Sequence, residues 1–453
     1  MYCSMRSVAV SLLVLNWAHH ACANDWPQWL GPNRDGVWRE TGLLSHFPPG
    51  GPKVIWRTPV GTGYAGPAVA GDRVYLMDRE RALDANGKPV RPTRDGIPGT
   101  ERILCLRVSD GKRLWHDDYA STYSISYPSG PRTTPVVRDG RVYAVGAMGH
   151  LRCLDADTGK VRWAKDLLKE YHLDEPPIWG YAANLLLDGD RLITLVGGPG
   201  SAVVALNKDT GKEIWRALTS AEVGYSPPMI YKAGGKRQLI IWLSESINGL
   251  DPDTGKLYWT VRYPADREPQ RPAVNIATVR KLDDLLFIST YYHGPMMLKL
   301  ASDRPAATVL WRGKSNNPER PDGLHILMAA PVLHDGHIYG VGANGELRCA
   351  RADNGHVVWQ TYAATCGKKT DCASAFIIPN GDRYIICNDK GELILAELTP
   401  KGYHELDRTR ILEPALQARG RTVVWSHPAF AHRCVFARND KELVCVSMAA
   451  DLQ

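Results

Sequence analysis

Six polar or aromatic residues have side chains suited to binding a ligand or cofactor: Tyr64, Arg132, Trp179, Tyr225, Asn275 and His427. Arg132 carries a planar guanidinium group that can pair with a carboxylate through two parallel hydrogen bonds. Trp179 offers a flat face for a ring, Asn275 an amide oxygen of the kind that binds calcium, and His427 a base that titrates near neutral pH. These residues predict a binding site, and we assign no catalytic or metal-ligating residue.

Short catalytic motifs are absent from the sequence. It contains no G-x-S-x-G elbow, no HExxH and no P-loop. It also lacks CxxC and CxxCH, which argues against a zinc ribbon and against covalently attached haem. A site must therefore be assembled from residues that are distant along the chain.

A repeated unit explains how such residues could meet. Residues 134–165 read TPVVRDGRVYAVGAMGHLRCLDADTGKVRWAK, and the same order of strands and turns returns from residue 330. Four apolar strands and three turns in so short a unit are typical of one blade of a β-propeller. Weaker copies cover residues 66–115, 182–215, 226–259, 275–311 and 373–412.

A tryptophan closes most of these units, 44 to 52 residues after the previous one: Trp115, Trp163, Trp215, Trp259, Trp311 and Trp359. The preceding D-x-D-T-G turn needs a glycine because a tight hairpin requires positive φ. A large ring at the start of the outermost strand can fill the gap between blades and donate its N–H to a carbonyl. We therefore expect the tryptophans to be structural.

The two ends of the chain complete the ring. The last unit, residues 423–447, holds three strands, and a lone Trp-bearing strand lies at residues 53–60. Pairing them removes a free sheet edge. The sequence thus predicts an all-β protein, an eight-bladed β-propeller of four-stranded antiparallel blades, closed by the N-terminal strand and the C-terminal blade. Its divisions are a signal peptide (1–23), an N-terminal extension (24–52) and the propeller (53–453).

The signal peptide predicts export to the periplasm or the medium. Arg6 precedes an apolar stretch at residues 8–17, and Ala21-Cys22-Ala23 fits a cleavage site; a lipid anchor at Cys22 is the alternative. No later run is apolar and long enough to span a bilayer. The net charge of +7 includes no dense Lys/Arg block, so nucleic-acid binding is not expected. Cys366 and Cys372 flank a polar loop and could form a disulfide.

The D-x-D-T-G-K-x-x-W units resemble the repeats of the pyrroloquinoline-quinone (PQQ)-like β-propeller family. The segment DWPQWLGPNRDG at residues 25–36 and the tail WSHPAFA…ARNDKELVCVS are similar to its exported bacterial type. Relatives include quinoprotein dehydrogenases and outer-membrane-assembly propeller lipoproteins. The resemblance implies PQQ with calcium as a cofactor pair, with Arg132 on a quinone carboxylate and Trp179 under its ring. The chain departs from the dehydrogenases because it has no adjacent Cys-Cys pair and no recognisable Glu, Asn and Asp set.

The residues before each innermost strand should share one face of the ring with long links at residues 78–102, expected to be a loop, and 119–131. Long loops on a rigid ring are common binding surfaces. We therefore expect a non-catalytic scaffold that binds a protein, glycan or small molecule there. The alternative is a PQQ-dependent alcohol or sugar dehydrogenase, and a metal-dependent hydrolase or lyase is less well supported. Each of the six residues could instead plug the channel.

Overall fold

A computed structural model describes residues 25–264, 268–269 and 271–452. The predicted signal peptide and Cys22 lie outside these residues. Eight four-stranded antiparallel sheets and one two-stranded sheet are found among the described residues. No helix among them is long and apolar enough to cross a bilayer. The all-β, eight-bladed prediction is confirmed.

The strands follow one another in chain order. The first is β1 (Val54–Pro59), followed by blade 1: β2 (Ala68–Ala70), β3 (Arg73–Arg81), β4 (Gly99–Arg107) and β5 (Arg113–Ala120). Blade 2 contains β6 (Val136–Arg138), β7 (Arg141–Val145), β8 (His150–Asp155) and β9 (Val161–Asp166), and a short helix α1 (Leu167–Glu170) follows. Blade 3 contains β10 (Leu186–Asp188), β11 (Arg191–Leu195), β12 (Val203–Asn207) and β13 (Glu213–Ala217). Blade 4 contains β14 (Met229–Ala233), β15 (Lys236–Trp242), β16 (Ser246–Leu250) and β17 (Leu257–Arg262).

The second half of the ring repeats the pattern. Blade 5 contains β18 (Arg280–Leu282), β19 (Leu285–Thr290), β20 (Gly294–Leu300) and β21 (Ala307–Arg312). Blade 6 contains β22 (Val332–His334), β23 (His337–Val341), β24 (Leu347–Arg351) and β25 (Val357–Thr361). Blade 7 contains β26 (Ala375–Asn380), β27 (Arg383–Asn388), β28 (Glu392–Thr399) and β29 (Gly402–Arg410). A hairpin of β30 (Leu416–Ala418) and β31 (Arg421–Val423) precedes blade 8, which has β32 (Ala429–Ala431), β33 (Cys434–Arg438) and β34 (Glu442–Ser447).

Ring closure occurs as the sequence predicts. Strand β1 pairs antiparallel with β34, so blade 8 has the order β1-β34-β33-β32. Trp56 of β1 donates its indole N–H to the carbonyl oxygen of Val108 in blade 1, at 2.6 Å. The two ends of the chain are thereby joined in one sheet, which also docks onto the first blade.

Apolar side chains pack between adjacent blades. One core cluster joins Tyr143 and Leu151 of blade 2 to Leu192 and Leu206 of blade 3. Since burying apolar surface stabilises each sheet only when a neighbour covers it, the blades depend on one another. The ring therefore provides a rigid frame for the loops at its ends.

The closing tryptophans, apart from Trp259, dock on the next blade as predicted. Trp115 of blade 1 donates its indole N–H to the carbonyl oxygen of Ala156 in blade 2, at 3.0 Å. Its ring lies against Gly159 of the D-x-D-T-G turn, where φ is +72°. The turn glycine thus serves the hairpin and also leaves space for a neighbouring ring.

Two local predictions were wrong. Residues 78–102 are not wholly a loop, because β3 and β4 extend into them and pair up to Arg81 and Gly99. The β30–β31 hairpin was also missed, since Val423 ends that hairpin and the first strand of blade 8 begins only at Ala429. The first error arises because the tip of that hairpin is polar and lacks the apolar alternation that marks blade strands. The second arises because β30 and β31 have only three residues each, too few for their alternation to be recognised.

The N-terminal segment of residues 25–44 crosses the channel. Trp26 pairs with Val69 of blade 1, and Arg34 donates to the carbonyl oxygens of Leu185 and Pro228, at the entrances to blades 3 and 4. Trp38 donates its backbone N–H to the carbonyl oxygen of Pro379, at 3.0 Å in blade 7. Since these contacts lie on opposite sides of the ring, the segment closes the channel beneath the loop face.

Candidate functional site

A cavity of about 230 Å³ opens at the channel mouth on the loop face. Every blade contributes to its wall, mostly through residues that immediately precede an innermost strand. The wall includes one residue of the N-terminal segment, Trp29, and the following residues of the propeller: Tyr64, Tyr127, Arg132, Trp179, Tyr225, Tyr291, Tyr292, Cys372, Phe376, Arg419, Trp425 and His427. The repeat thus gathers residues from along the whole propeller into one site.

The structure brings together five of the six predicted residues, Tyr64, Arg132, Trp179, Tyr225 and His427, at this cavity. Asn275 is not part of the wall. It is buried, and its side-chain amide donates to the backbone carbonyl oxygen of Trp242 at 2.9 Å. Its neighbours Val274 and Ile276 line the cavity instead, because successive residues of an extended chain point to opposite sides.

Arg132 is a cation that backbone carbonyl groups hold in place. Its guanidinium donates to the carbonyl oxygens of Ser126 at 2.9 Å, Tyr127 at 2.7 Å, and Gly130. It also lies over the Tyr64 ring, 5.0 Å from the centroid. Burial lowers the pKa of Arg132, yet a guanidinium remains charged at neutral pH. The side chain is therefore positioned as a fixed positive charge.

Aromatic rings form most of the remaining wall. Trp179 and Tyr225 pack with their ring centroids 5.1 Å apart, and Tyr127 packs against Trp425 at 6.3 Å. Burial raises the pKa of Tyr225, so its hydroxyl stays protonated. Such a wall favours a flat apolar ligand that can stack or pack edge to face.

His427 lines the cavity within an aromatic cluster. Its ring centroid is 4.6 Å from that of Trp29 and 4.9 Å from that of Phe376. Burial lowers its pKa to about 3, because no anion compensates the charged form. Its Nε2 atom is enclosed and has no hydrogen-bond partner among the described residues. His427 is thus neutral at physiological pH and contributes an apolar ring to the wall.

The two cysteines of the polar loop are both thiols in the structure. Cys372 lines the cavity and its Sγ lies 3.2 Å from Asp371 Oδ1, whereas Cys366 lies 3.9 Å from Asp389 Oδ1. Burial raises the pKa of Cys372 to about 12, so its thiol is un-ionised. This side chain adds a small apolar surface to the wall.

Several wall residues were absent from the predicted set. Tyr291 and Tyr292 lie in the turn between β19 and β20, Arg419 at the tip of the missed hairpin, and Trp29 in the N-terminal segment. The tyrosines could have been found, because the second turn of every blade opens on the loop face. Trp29 carries no such signal, since only the fold shows that its segment enters the channel.

The wall residues do not fit a calcium ion. Calcium binds about six to eight oxygen ligands, usually including carboxylates, and none of the described wall residues is an Asp or Glu. Of the amide candidates, Asn184 already accepts a hydrogen bond from the Thr134 N–H at 2.7 Å, and Asn275 faces away. Among the described residues no three His, Cys, Asp or Glu side chains form a group that could hold a metal. We therefore derive no step through a calcium–quinone pair.

Comparison with known proteins agrees with the repeat. A family model described as outer membrane protein assembly factor BamB matches residues 99–361, more than half of the 453-residue chain. The chain belongs to this family. The BamB of Burkholderia pseudomallei (strain K96243) is 24% identical to this BamB-family chain over 256 residues, 56% of this chain and 60% of the relative. The BamB of Moranella endobia is 22% identical over 273 residues, 58% of this chain and 63% of that protein.

Other relatives of this BamB-family chain are enzymes. The quinoprotein alcohol dehydrogenase PedH of Pseudomonas putida is 28% identical over 168 residues, covering 34% of this chain and 26% of that protein. Since the chain matches less than two thirds of the length of these relatives, their activities do not transfer to it directly.

Solved structures agree on the fold alone. The BamB of Moraxella catarrhalis has a TM-score of 0.50 at 15% identity, covering 81% of this chain and 95% of that one. The computationally designed Ika8 protein has a TM-score of 0.53 at 9% identity, covering 87% and 99%. At these identities the similarity concerns the fold, and a fold does not by itself specify an activity.

Proposed function

We propose that the protein is an exported, non-catalytic binding scaffold that holds a ligand in the cavity at its channel mouth. The observation that carries the proposal is the wall itself, whose described residues are aromatic side chains from around the ring and one carbonyl-anchored arginine, without a carboxylate among them. Binding pockets are mostly apolar with a few placed polar groups. The matching relatives named assembly factors are consistent with a scaffold role.

The surroundings of the cavity support binding without chemistry. Arg132 and Trp179 can hold a ligand, and the un-ionised Tyr225 and neutral His427 place no further charge beside it. A general base needs a pKa near the working pH, and burial takes the pKa of His427 far below that range. The longer links around the mouth could add contacts to a partner protein or glycan.

A PQQ-dependent alcohol or sugar dehydrogenase is the second candidate. The partial match to PedH favours it, as do Arg132 and Trp179 at one cavity. The lack of carboxylates in the wall argues against it, because the calcium that accompanies PQQ has no ligand set there. This alternative would also require turnover of a substrate.

The two candidates are separated by titrating the purified protein with indole and, separately, with PQQ and calcium. We expect indole to bind saturably in a calorimetric titration, and we expect no reduction of a redox dye by alcohols or sugars. Trp179→Ala should weaken indole binding, whereas Ile214→Ala, on the exposed outer strand of blade 3, should not. Dye reduction that needs PQQ and disappears in Arg132→Ala would instead establish the dehydrogenase.

A further inference from the structure

We propose that the ligand of this cavity is a one- or two-ring aromatic carboxylate. The inference rests on the proposed function and names the chemical class that the site selects. It follows from the unused donors of Arg132 and from the aromatic wall and its volume.

The carboxylate is assigned to Arg132. An arginine has five N–H donors, and the three hydrogen bonds of Arg132 to Gly130, Ser126 and Tyr127 leave two of them for a ligand. Arg132 forms no ion pair within the described part of the chain. Burial lowers the pKa of Arg132 and the charge of Glu101 partly offsets this, but the two side chains form no ion pair. Glu101 instead accepts hydrogen bonds from the Tyr123 hydroxyl and from the Ala147 N–H, the latter at 2.9 Å.

The rest of the wall does not repel an anion. In the described part of the chain its side chains include no Asp or Glu, and Arg419 adds a second positive charge. The Arg419 charge is partly neutralised, because its Nε lies 3.6 Å from the Asp371 carboxylate. Arg132 therefore contributes more than Arg419 to the attraction of an anionic ligand, and both arginines repel a cationic one.

The aromatic wall and the volume of the cavity determine which ring system the ligand can have. The Trp179–Tyr225 pair and the Tyr127–Trp425 pair provide tilted aromatic surfaces on which a flat body can pack. An apolar cavity of roughly 150 Å³ is enough to hold benzene. The cavity here has about 230 Å³, which suits one ring or a fused pair with short substituents.

The test is calorimetric titration of the purified protein with two matched triads of probes, each made of an acid, an alcohol and an amine. Indole-3-acetate and 4-hydroxyphenylacetate carry the carboxylate, tryptophol and tyrosol replace it with a neutral hydroxyl, and tryptamine and tyramine with a cation. We expect each acid to bind about tenfold more tightly than its alcohol, and the amines to bind most weakly. Arg132→Met should remove the preference for the acid while leaving the alcohol within about twofold.

Controls separate the inference from the proposed function. Arg138→Met, on the exposed end of β6, should leave all affinities unchanged. If Arg132→Met instead collapsed the site, the acid and the alcohol would both bind more weakly. Arg132→Lys, which keeps the positive charge, tests the charge separately and should retain part of the preference for the acid. Equal affinities for acid and alcohol in the native protein would overturn this inference and leave the binding scaffold intact. Failure of every probe, together with failure of indole, would overturn both.

Discussion

Burial controls the chemistry of the residues at the channel mouth. His427 is surrounded by Trp26, Trp29 and Phe376, so its charged form is disfavoured. A histidine that looks like a general base in the sequence is thereby converted into a neutral hydrogen-bonding group. The same burial makes the folded protein sensitive to acid.

Stability should therefore fall as the pH drops from about 6.5 towards 4. The unfolded chain binds a proton at the ordinary histidine pKa of about 6.5, whereas folded His427 does so only near 3. Stability from this residue is complete above the unfolded pKa and is lost below it, by about 3 kcal/mol at pH 4. Burial also lowers the pKa of His325, which adds in the same direction.

The variant His427→Gln isolates this effect. Thermal unfolding measured from pH 7 to pH 4 should show a shallower decline in Tm for His427→Gln than for the native protein. The matched control, His404→Gln, removes an exposed histidine and should keep the native slope. Parallel curves for all three proteins would contradict the buried, neutral state of His427.

Some residues of the cavity wall could be predicted from the sequence and others could not. Tyr64, Arg132 and Trp179 could be placed at the mouth because each precedes an innermost strand. The position of Asn275 required knowledge of which side of an extended segment it occupies, and Trp29 required the path of the N-terminal segment. Both depend on long-range contacts that no local pattern records.

The blade is the level at which sequence and structure agree most closely. The D-x-D-T-G turn and its tryptophan are local signals, and they place Trp115, Trp163, Trp215 and Trp311 on carbonyl groups of the next blade. Trp259 differs, because the corresponding turn of blade 5, residues 301–306, contains no glycine. Its indole N–H donates instead to Gln238 Oε1 within its own blade, at 2.6 Å.

Docking predicts unequal effects of the same substitution at two turns. Gly159 and Gly140 both have positive φ, +72° and +68°, so alanine strains either backbone. A Cβ at Gly159 would also lie 2.6 Å from the Trp115 ring, whereas none of the described atoms lies within 4 Å at Gly140. Overpacking should make Gly159→Ala more destabilising by about 1–3 kcal/mol. Denaturant unfolding measures the difference, and equal losses would argue against this interblade packing.

At the scale of the whole molecule, the N-terminal segment connects blades through the channel. Buried Arg34 donates to Leu185 at 2.9 Å and to Pro228 at 3.1 Å, whereas exposed Arg39 pairs with Asp35 of its own segment. Arg34→Met should lose about 2–3 kcal/mol of stability, because two buried carbonyl groups lose a charged donor. Arg39→Met should change stability by less than about 0.5 kcal/mol. Similar unfolding midpoints for the two variants would contradict a structural role of the segment.

Closure of the ring depends on β34, which lies between β1 and β33. It buries Leu443, Val444, Cys445 and Val446, all at most 1% exposed. Side chains of this kind contribute roughly 1.5–3 kcal/mol each, so removing four approaches the whole stability of a typical domain, about 5–15 kcal/mol. Deletion of residues 442–453 should therefore leave β1 and β33 with unpaired edges and yield an aggregated or unfolded chain. Deletion of residues 451–453 spares β34 and should preserve both the native Tm and the native elution volume. If the longer deletion instead gave a folded protein with the native Tm and elution volume, β34 would be a dispensable edge strand and the ring could not be closed through it.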